Sequence, residues 1–331
     1  MLKKNILITG GCGFIGSNFI YRLLNLKHNI IIIDNFSTGY IENLNELKKK
    51  SKKKNIKIYF FNFNLRKKKK LEKIFEKFDI DYIFHFAAFT SVEKSIKNPK
   101  SFLSNNIETT KSLLDLVKKY KVKYFIFSSS AAVYGNIKFA SNIIENAKLK
   151  PINPYGLSKL ICEKKIKKQA KKNNFNYCIL RYFNAIGKNI SKKVDKKKNL
   201  NLFEKISLFV KRNKKFYIHG KKLDTKDGTP IRDFISIYDL VGAHLECLKQ
   251  KNNKKFWNKI YNIGNNKGVS VLEVVKEYNK NFTRKLNYVF IDKKKGIIKK
   301  SVANNSKFIK ISNWRPKKSN IKLLVNNFFN S

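Results

Sequence analysis

The chain has 331 residues, 73 Lys and Arg against 22 Asp and Glu, and a formal net charge of +51. That length supports a large core without staples, and no apolar run is long enough to cross a membrane. Its four scattered cysteines, Cys12, Cys162, Cys178 and Cys247, make no metal-ligand spacing and fit a reduced, cytoplasmic setting, so no metal is expected.

Two lysines before the first apolar run imitate a signal peptide, but glycines break that run too early. The run, Ile6-Leu7-Ile8, reads as a buried strand. It leads into Thr9-Gly10-Gly11-Cys12-Gly13-Phe14-Ile15-Gly16, and an apolar-periodic stretch, Phe14 to Leu26, reads as the helix that follows. Strand, glycine turn and helix are the context a dinucleotide fingerprint needs. Gly10 can take the tight turn, Gly13 lets backbone approach a pyrophosphate, and Gly16 lets helix and strand pack closely, with free N–H groups at the helix start for phosphates. Turn geometry alone would also explain these glycines, and the next strand favours the nucleotide. Ile30 to Ile33 ends at Asp34, where a carboxylate can accept hydrogen bonds from an adenosine ribose and would repel the extra phosphate of NADP. The cofactor expected is therefore NAD.

After a basic helix and loop, strands are predicted at Ile56 to Phe61, Tyr82 to Phe86, Tyr124 to Phe127 and Tyr177 to Leu180. Helices are predicted at Leu71 to Phe78, Asn105 to Lys119 and Tyr155 to Lys172. This alternation is the pattern of a parallel sheet covered on both faces. Past Asn184 it fades. A basic loop precedes a helix from Leu202 to Arg212 and a short strand at Phe216 to Ile218. Thr229 to Phe234 leads into a helix from Ser236 to Leu248, Ile260 to Ile263 is a strand, and Ser270 caps a helix to Phe282. Trp314-Arg315-Pro316 precedes a last helix. The expected fold is α/β: a Rossmann-type doubly wound parallel sheet over 1–184, and a smaller C-terminal α/β substrate-binding domain over 185–331. The second domain is expected over the carboxyl ends of the strands, and segments of the two are free to interleave.

The basic runs are spread along the whole chain, at 48–54, 66–70, 192–198 and 293–295. A nucleic-acid or anionic-membrane partner is one reading of that charge. However, no stripe or nucleic-acid motif accompanies it, and residues of AT-rich codons (Lys, Asn, Ile, Phe) crowd the chain while Gly (14), Pro (5) and Met (1) are scarce. Compositional drift with solvated lysines is the favoured reading, without a nucleic-acid or membrane partner.

The chemistry centres on Tyr155 and Lys159, four apart at a helix start and so on one face. A free phenol, with a pKa of about 10, is a poor base at neutral pH. A nearby ammonium favours the phenolate, which makes the pair a proton acceptor for an alcohol or sugar hydroxyl. Ser130, after the fifth strand, can hydrogen-bond the same oxygen. The spacing alone is common in a lysine-rich chain. It gains weight from the serine-rich strand end and the nucleotide turn.

Together, Thr9 to Gly16, Asp34-Asn35, Ser128 to Ser130 and Tyr155-Gly-Leu-Ser-Lys159 resemble the extended short-chain dehydrogenase/reductase family. Within it, the chain is similar to the UDP-glucose (UDP-galactose) 4-epimerases. The stretches that carry this are His85 to Ala88, Phe127 to Gly135, Pro154 to Leu160, Leu180 to Asn184, Asp227 to Phe234, Tyr261 to Gly264 and Asn313 to Pro316. The resemblance implies 4-epimerisation of a UDP-hexose through a transient 4-keto sugar, with tightly held NAD reused in each turnover and a homodimer paired through the helices at 105–119 and 155–172. Catalytic roles fall on Tyr155, Lys159 and Ser130. The cofactor contacts implied are Gly10, Gly13, Phe14, Ile15, Gly16, Asp34, Asn35, Asn64, Leu65, Phe86, Ala87, Ala88, Asn105, Ser128, Tyr182 and Phe183, together with Tyr155 and Lys159. The substrate contacts implied are Ser130, Tyr155, Asn184, Asn201, Leu202, Arg232, Lys294 and Ser301.

The chain departs from the family pattern in places. Asn64 stands where an Asp often contacts adenine, and Thr90 where a Lys often touches cofactor phosphate. Lys294 replaces an Arg on the diphosphate, and Ile297 an Asp near the uridine ribose. Ser301 stands where a bulky Tyr restricts the site to glucose and galactose, which implies room for an N-acetyl group. Ala131-Ala132 stands where dehydratases and decarboxylases keep an acid, which disfavours those chemistries. A nucleotide-sugar reductase, another epimerase of this type, and a non-catalytic Rossmann protein that binds nucleic acid are the alternatives.

Overall fold

A computed structural model describes residues 3–137, 141–194, 200–221, 223–292 and 298–330. The chain runs through β1 (Asn5–Thr9), α1 (Phe14–Leu23), β2 (Asn29–Ile33), α2 (Ile41–Lys53), β3 (Ile58–Phe61) and α3 (Lys68–Lys77). A second set follows: β4 (Tyr82–His85), α4 (Val92–Lys97), α5 (Pro99–Lys119), β5 (Tyr124–Ser130), α6 (Pro154–Asn173) and β6 (Asn176–Tyr182). The remainder comprises β7 (Asn184–Ile186), α7 (Leu202–Lys211), β8 (Phe216–His219), β9 (Ile231–Ser236), α8 (Ile237–Lys249), β10 (Lys259–Ile263) and β11 (Gly268–Ser270). It closes with α9 (Val271–Asn281), β12 (Tyr288–Ile291), β13 (Lys300–Ser301), α10 (Ser306–Ile311) and α11 (Ile321–Phe329).

Seven strands form one sheet in the order β10-β6-β5-β4-β1-β2-β3, with every neighbouring pair parallel. A parallel sheet is buried on both faces, so its strands are continuous apolar runs whose alternate residues serve opposite sides. Ile6, Ile8, Ile30 and Ile32 enter one core with Phe19 of α1 and Leu240 of α8. Leu7, Ile31 and Ile33 enter the other with Phe75 of α3, Leu113 of α5 and Ile166 of α6. The strand order reverses between β1 and β4, and ligands of open α/β sheets bind outside the carboxyl ends at such a switch point.

The two halves of the chain interleave. β10 pairs with β6 over the full register from Cys178 to Tyr182, and α8 packs on α1. A chain cut at residue 184 would leave the edge of β6 bare and one face uncovered. α10 also packs on β10, and Phe256, Trp257, Phe308 and Trp314 join the core of the large sheet. Other elements of the second half form a smaller lobe. Its sheet runs β11-β9-β13 with β7 also on β9, β12 pairs with β8, and its core includes Phe203, Phe234, Val275 and Val325.

Several boundaries differ from the predicted ones. β5 continues to Ser130, which puts the serines in the strand rather than after it. α5 starts at Pro99 because proline suits the first helical turn. α4 and β9 are elements the apolar pattern did not show. All four cysteines are free and buried. Among the described residues no helix is long and apolar enough to cross a membrane, and no group of three or more His, Cys, Asp or Glu could hold a metal ion.

Candidate active site

A cleft of about 820 Å³ opens at the switch point, within the size range of cofactor sites. The glycine turn forms its base. Gly10 has φ +70°, and a β-carbon there would lie 2.6 Å from the Ala87 nitrogen, so β1 and β4 meet only because this position is glycine. A β-carbon on Gly16 would lie 2.3 Å from the Gly10 carbonyl oxygen, which would push α1 off the turn. Gly13 precedes α1 as a cap without a side chain, so the N–H groups of the helix's first turn face the cleft with no intrahelical acceptor.

Asp34 closes β2 beside this turn. Its Oδ2 accepts from the Cys12 N–H at 2.9 Å and its Oδ1 from the Phe36 N–H at 2.8 Å. Burial raises the carboxyl pKa, and the same backbone N–H groups hold it down. Each oxygen keeps a lone pair for a ribose hydroxyl.

The opposite wall is positioned by buried polar links. Thr110 Oγ1 is 2.8 Å from the Asn106 carbonyl, so it donates there and accepts from His85 Nε2 at 3.0 Å. His85 Nδ1, 2.7 Å from Thr9 Oγ1, is then the acceptor. Burial brings the His85 pKa down to about 3, so the ring is a neutral tie between β1, β4 and α5. Asn106 accepts from the Phe89 N–H at 2.8 Å and donates to Ser158 Oγ at 2.9 Å, which joins the wall after β4 to the first turn of α6.

That turn presents Tyr155. Asn153 caps α6 by accepting from the Gly156 N–H at 2.8 Å, which fixes the helix start and hence the phenol. Ser130, ending β5, faces Tyr155 and favours its phenolate, whereas burial raises the phenol pKa by the larger amount. The Lys159 ammonium reaches beneath the cleft floor, 2.7 Å from the Ser128 carbonyl oxygen and 4.8 Å from the centre of the Phe127 ring. Burial lowers its own pKa to about 8, opposed by Cys162 and Glu163.

All the cofactor residues inferred from sequence line this cleft except Lys159, which lies under it. Asn64 is partly committed, because its Oδ1 accepts from the Arg66 N–H at 3.0 Å, leaving its Nδ2 hydrogens as donors. The loop 36–40 and Lys94 also line the cleft, and the sequence reading missed both. The loop carries no motif of its own, and position after Asp34 was its only signal.

Ser130 and Tyr155 line the cleft, but the other substrate residues gather on the smaller lobe. Arg232 on β9 is paired in register with Ser301 on β13, and Asn184 of β7 is paired with Phe234, two residues along β9. Arg232 has no carboxylate partner among the described residues, and burial lowers its pKa to about 10. A half-buried guanidinium without a counter-ion is suited to an anionic ligand. Asn201 caps α7, with its Oδ1 accepting from the Glu204 N–H at 3.0 Å, so its Nδ2 hydrogens and one oxygen lone pair remain for a ligand. Leu202 then opens α7 with its backbone. Lys294 and Ile297 lie outside the described residues.

The arrangement of glycine turn, acidic β2 end and Ser-Tyr-Lys group is matched by a family model described as NAD dependent epimerase/dehydratase, over residues 6–264. The chain belongs to that family. A UDP-glucose 4-epimerase of Dictyostelium discoideum is 34% identical over 320 residues, covering 95% of this chain and 92% of the relative. Among solved structures, a UDP-glucose-4-epimerase of Stenotrophomonas maltophila with bound NAD and formylated UDP-arabinopyranose superposes with a TM-score of 0.90. It is 25% identical, over 98% of this chain and 97% of that one. A UDP-Glc/GlcNAc 4-epimerase of Campylobacter jejuni is 31% identical with a TM-score of 0.85, over 99% and 98%. Within the family, the cleft of this chain keeps Ser130 and Tyr155 at its floor and Lys159 just below.

Proposed function

We propose that the protein interconverts a UDP-hexose and its 4-epimer through a 4-keto sugar, with NAD held in the cleft and reused in every turnover. The observation that carries this reading is the convergence of Ser130 and Tyr155, with Lys159 beneath them, on the cleft that the glycine turn and Asp34 also line. When bound, NAD supplies the hydride acceptor for C4. Tyr155 takes the proton of the sugar 4-hydroxyl and returns it when the keto sugar is reduced on its other face. Ser130 holds the same oxygen, and Lys159 adds positive charge below the floor and a donor for the nicotinamide ribose. Thr90 brings no charge to the cleft wall, and Lys94 on α4 lines the same cleft and can supply it.

The smaller lobe, built around β7, β9, β11 and β13 with α7, α9 and α11, binds the UDP-sugar. Arg232 holds the diphosphate, with Asn184, Asn201 and Leu202 as further contacts. The small side chain of Ser301 beside Arg232 leaves room for an N-acetyl group, so UDP-N-acetylhexosamines are substrates as well as UDP-glucose and UDP-galactose. We infer a homodimer through α5 and α6. An exposed apolar side chain on α6, Leu157, supports it. Free buried thiols support a cytoplasmic setting.

One assay tests the reading: incubation with UDP-galactose or with UDP-GlcNAc, without added NAD, and resolution of the products. Conversion of both is expected, and Tyr155→Phe abolishes it with the fold intact. Turnover only when reduced cofactor is added and consumed would indicate a reductase. Tight nucleic-acid binding at physiological salt with no turnover would indicate the non-catalytic alternative.

A further inference from the structure

A second phenol lines the cleft beside Tyr155, and the hydrogen bonds show where its proton points. Tyr182 ends β6 and faces the cleft together with Ser128, Ser130 and Tyr155. Its hydroxyl is hydrogen-bonded to Nε2 of His244. His244 lies in the middle of α8, fully buried among the rings of Phe19, Phe84, Phe86 and Tyr182, and is not part of the cleft lining. Its Nδ1 is 2.8 Å from the Leu240 carbonyl oxygen. A carbonyl only accepts, so Nδ1 carries hydrogen. Burial brings the His244 pKa down to about 4, so the ring is neutral and its Nε2 is a bare acceptor. The hydrogen between the two residues therefore belongs to Tyr182, which donates it away from the cleft. The cleft sees only the lone pairs of the Tyr182 oxygen.

We propose that His244 is a positioning residue: it pins the Tyr182 proton, so that this phenol stays neutral, offers only an acceptor to the bound cofactor, and leaves Tyr155 as the phenol that ionises. The part concerning Tyr155 rests on the functional reading above.

Two phenols within electrostatic reach of each other cannot both carry charge cheaply. Burial already holds Tyr182 well above its ordinary pKa, but the Ser128 hydroxyl favours its ionised form, so the two compete. The other titratable groups facing Tyr182 are the thiols of Cys178 on β6 and Cys247 on α8, 3.9 Å apart. Tyr155 faces Ser130 and Tyr182, with the Lys159 ammonium one turn along α6 on the Ser128 carbonyl. Of these, His244 is the group that accepts the Tyr182 proton. Without it, that hydroxyl is free to turn into the cleft, where Ser128, Ser130 and Tyr155 lie, and a donor turned onto the Tyr155 oxygen stabilises its phenolate.

The test compares His244→Gln, which keeps an acceptor where Nε2 stood, with His244→Phe, which keeps bulk and loses the acceptor. His244→Met serves if the phenylalanine variant does not fold. The pH profile of kcat/KM with UDP-galactose should be unmoved in H244Q. In H244F its acid limb should fall by about one pH unit, with kcat down about 10-fold, because a stabilised phenolate is a weaker base. Adding Tyr182→Phe to H244F should return the limb to its original position. Resting protein supplies an independent readout. In a Tyr155→Phe background, ultraviolet titration of tyrosinate should show one phenol ionising at lower pH when His244 is Phe than when it is His. A limb that stays put in H244F, or moves equally in H244Q, or a tyrosinate titration that His244→Phe leaves unchanged, overturns the proposal. If the wild type converts no UDP-hexose, the functional reading fails, and the tyrosinate titration still decides the role of His244.

Discussion

Arg232 and Gly10 mark opposite kinds of residue. Arg232 is a charge kept half-buried without a counter-ion, so its removal leaves no carboxylate uncompensated and gives up one bond, from its Nη1 to the Ile231 carbonyl at 2.8 Å. Arg232→Ala should raise KM for the UDP-sugar about 10- to 100-fold, the worth of a charge-assisted hydrogen bond or two. The thermal midpoint should not fall. A midpoint several degrees lower would make Arg232 a structural residue instead. Gly10 has no side chain to lose, yet its φ of +70° and the 2.6 Å approach to Ala87 leave no room for one. Gly10→Ala should cost about 1–3 kcal/mol of stability and release the cofactor, measured by denaturant unfolding and by NAD content after purification. Unchanged NAD content would separate the turn from the cofactor. The glycines and Asp34 were legible in the sequence because backbone demands restrict residue type. The commitments of Asn64 and Asn201 were not, because an amide oxygen that caps a turn looks the same in sequence as one that binds a ligand.

At the scale of elements, α6, β5, β6 and β10 are joined by one buried ion pair and its neighbours. Arg181 grips Glu163 through Nε at 3.0 Å and Nη2 at 2.6 Å, while Ser129 donates to the same carboxylate at 2.5 Å. Arg181 also donates to the Tyr134 hydroxyl at 2.8 Å, and Tyr134 donates to Asn262 on β10 at 2.7 Å. Glu163 follows Lys159 by one helical turn, so the brace sits directly behind the catalytic group. Removing one partner of such a pair leaves an uncompensated charge, so Arg181→Met should cost about 3–5 kcal/mol by denaturant unfolding. A cost below ~1 kcal/mol would show that the brace is replaceable. Three buried histidines, His28, His85 and His244, add a pH dependence, and burial lowers the pKa of each; the two most deeply buried are His85 and His244. Their folded pKa values, about 3 for His85 and about 4 for His244, lie below the unfolded value of about 6.5. The unfolded chain therefore binds more protons, and the stability they contribute is present above pH ~6.5 and lost on acidification toward pH ~4. Asp233, pushed up to about 7 by burial, acts in the opposite sense across that window. The comparison is therefore each single variant, His85→Asn or His244→Gln, against the wild type. Each should show a shallower loss of stability between pH 6.5 and 4, and an unchanged slope would rule out that histidine as a source.

For the whole molecule, a net charge of +51 is a self-repelling field, and few ion pairs among the described residues offset it. Salt shortens the Debye length to about 8 Å at physiological strength. The thermal midpoint should therefore rise with added salt. The same field attracts an anionic UDP-sugar, so kcat/KM should fall as ionic strength rises while kcat stays level. A kcat/KM independent of salt would mean that the charge does not steer substrate.

The sequence by itself determined the local chemistry: the glycine turn, the acid at the end of β2, the Ser-Tyr-Lys group, and the alternating runs that make a parallel sheet. Each of these is written in residue type and short spacing, because backbone geometry and hydrophobic periodicity act over a few residues. The tertiary structure decided what depends on contacts distant in sequence. It brought β10 back to shield β6, set Ser301 beside Arg232, and put the Lys159 ammonium on the Ser128 carbonyl. It also placed His244, a residue with no motif, behind Tyr182. The glycine turn could be read from neighbouring residues, whereas the partner of a phenol 62 residues away is fixed only once β6 and α8 pack together.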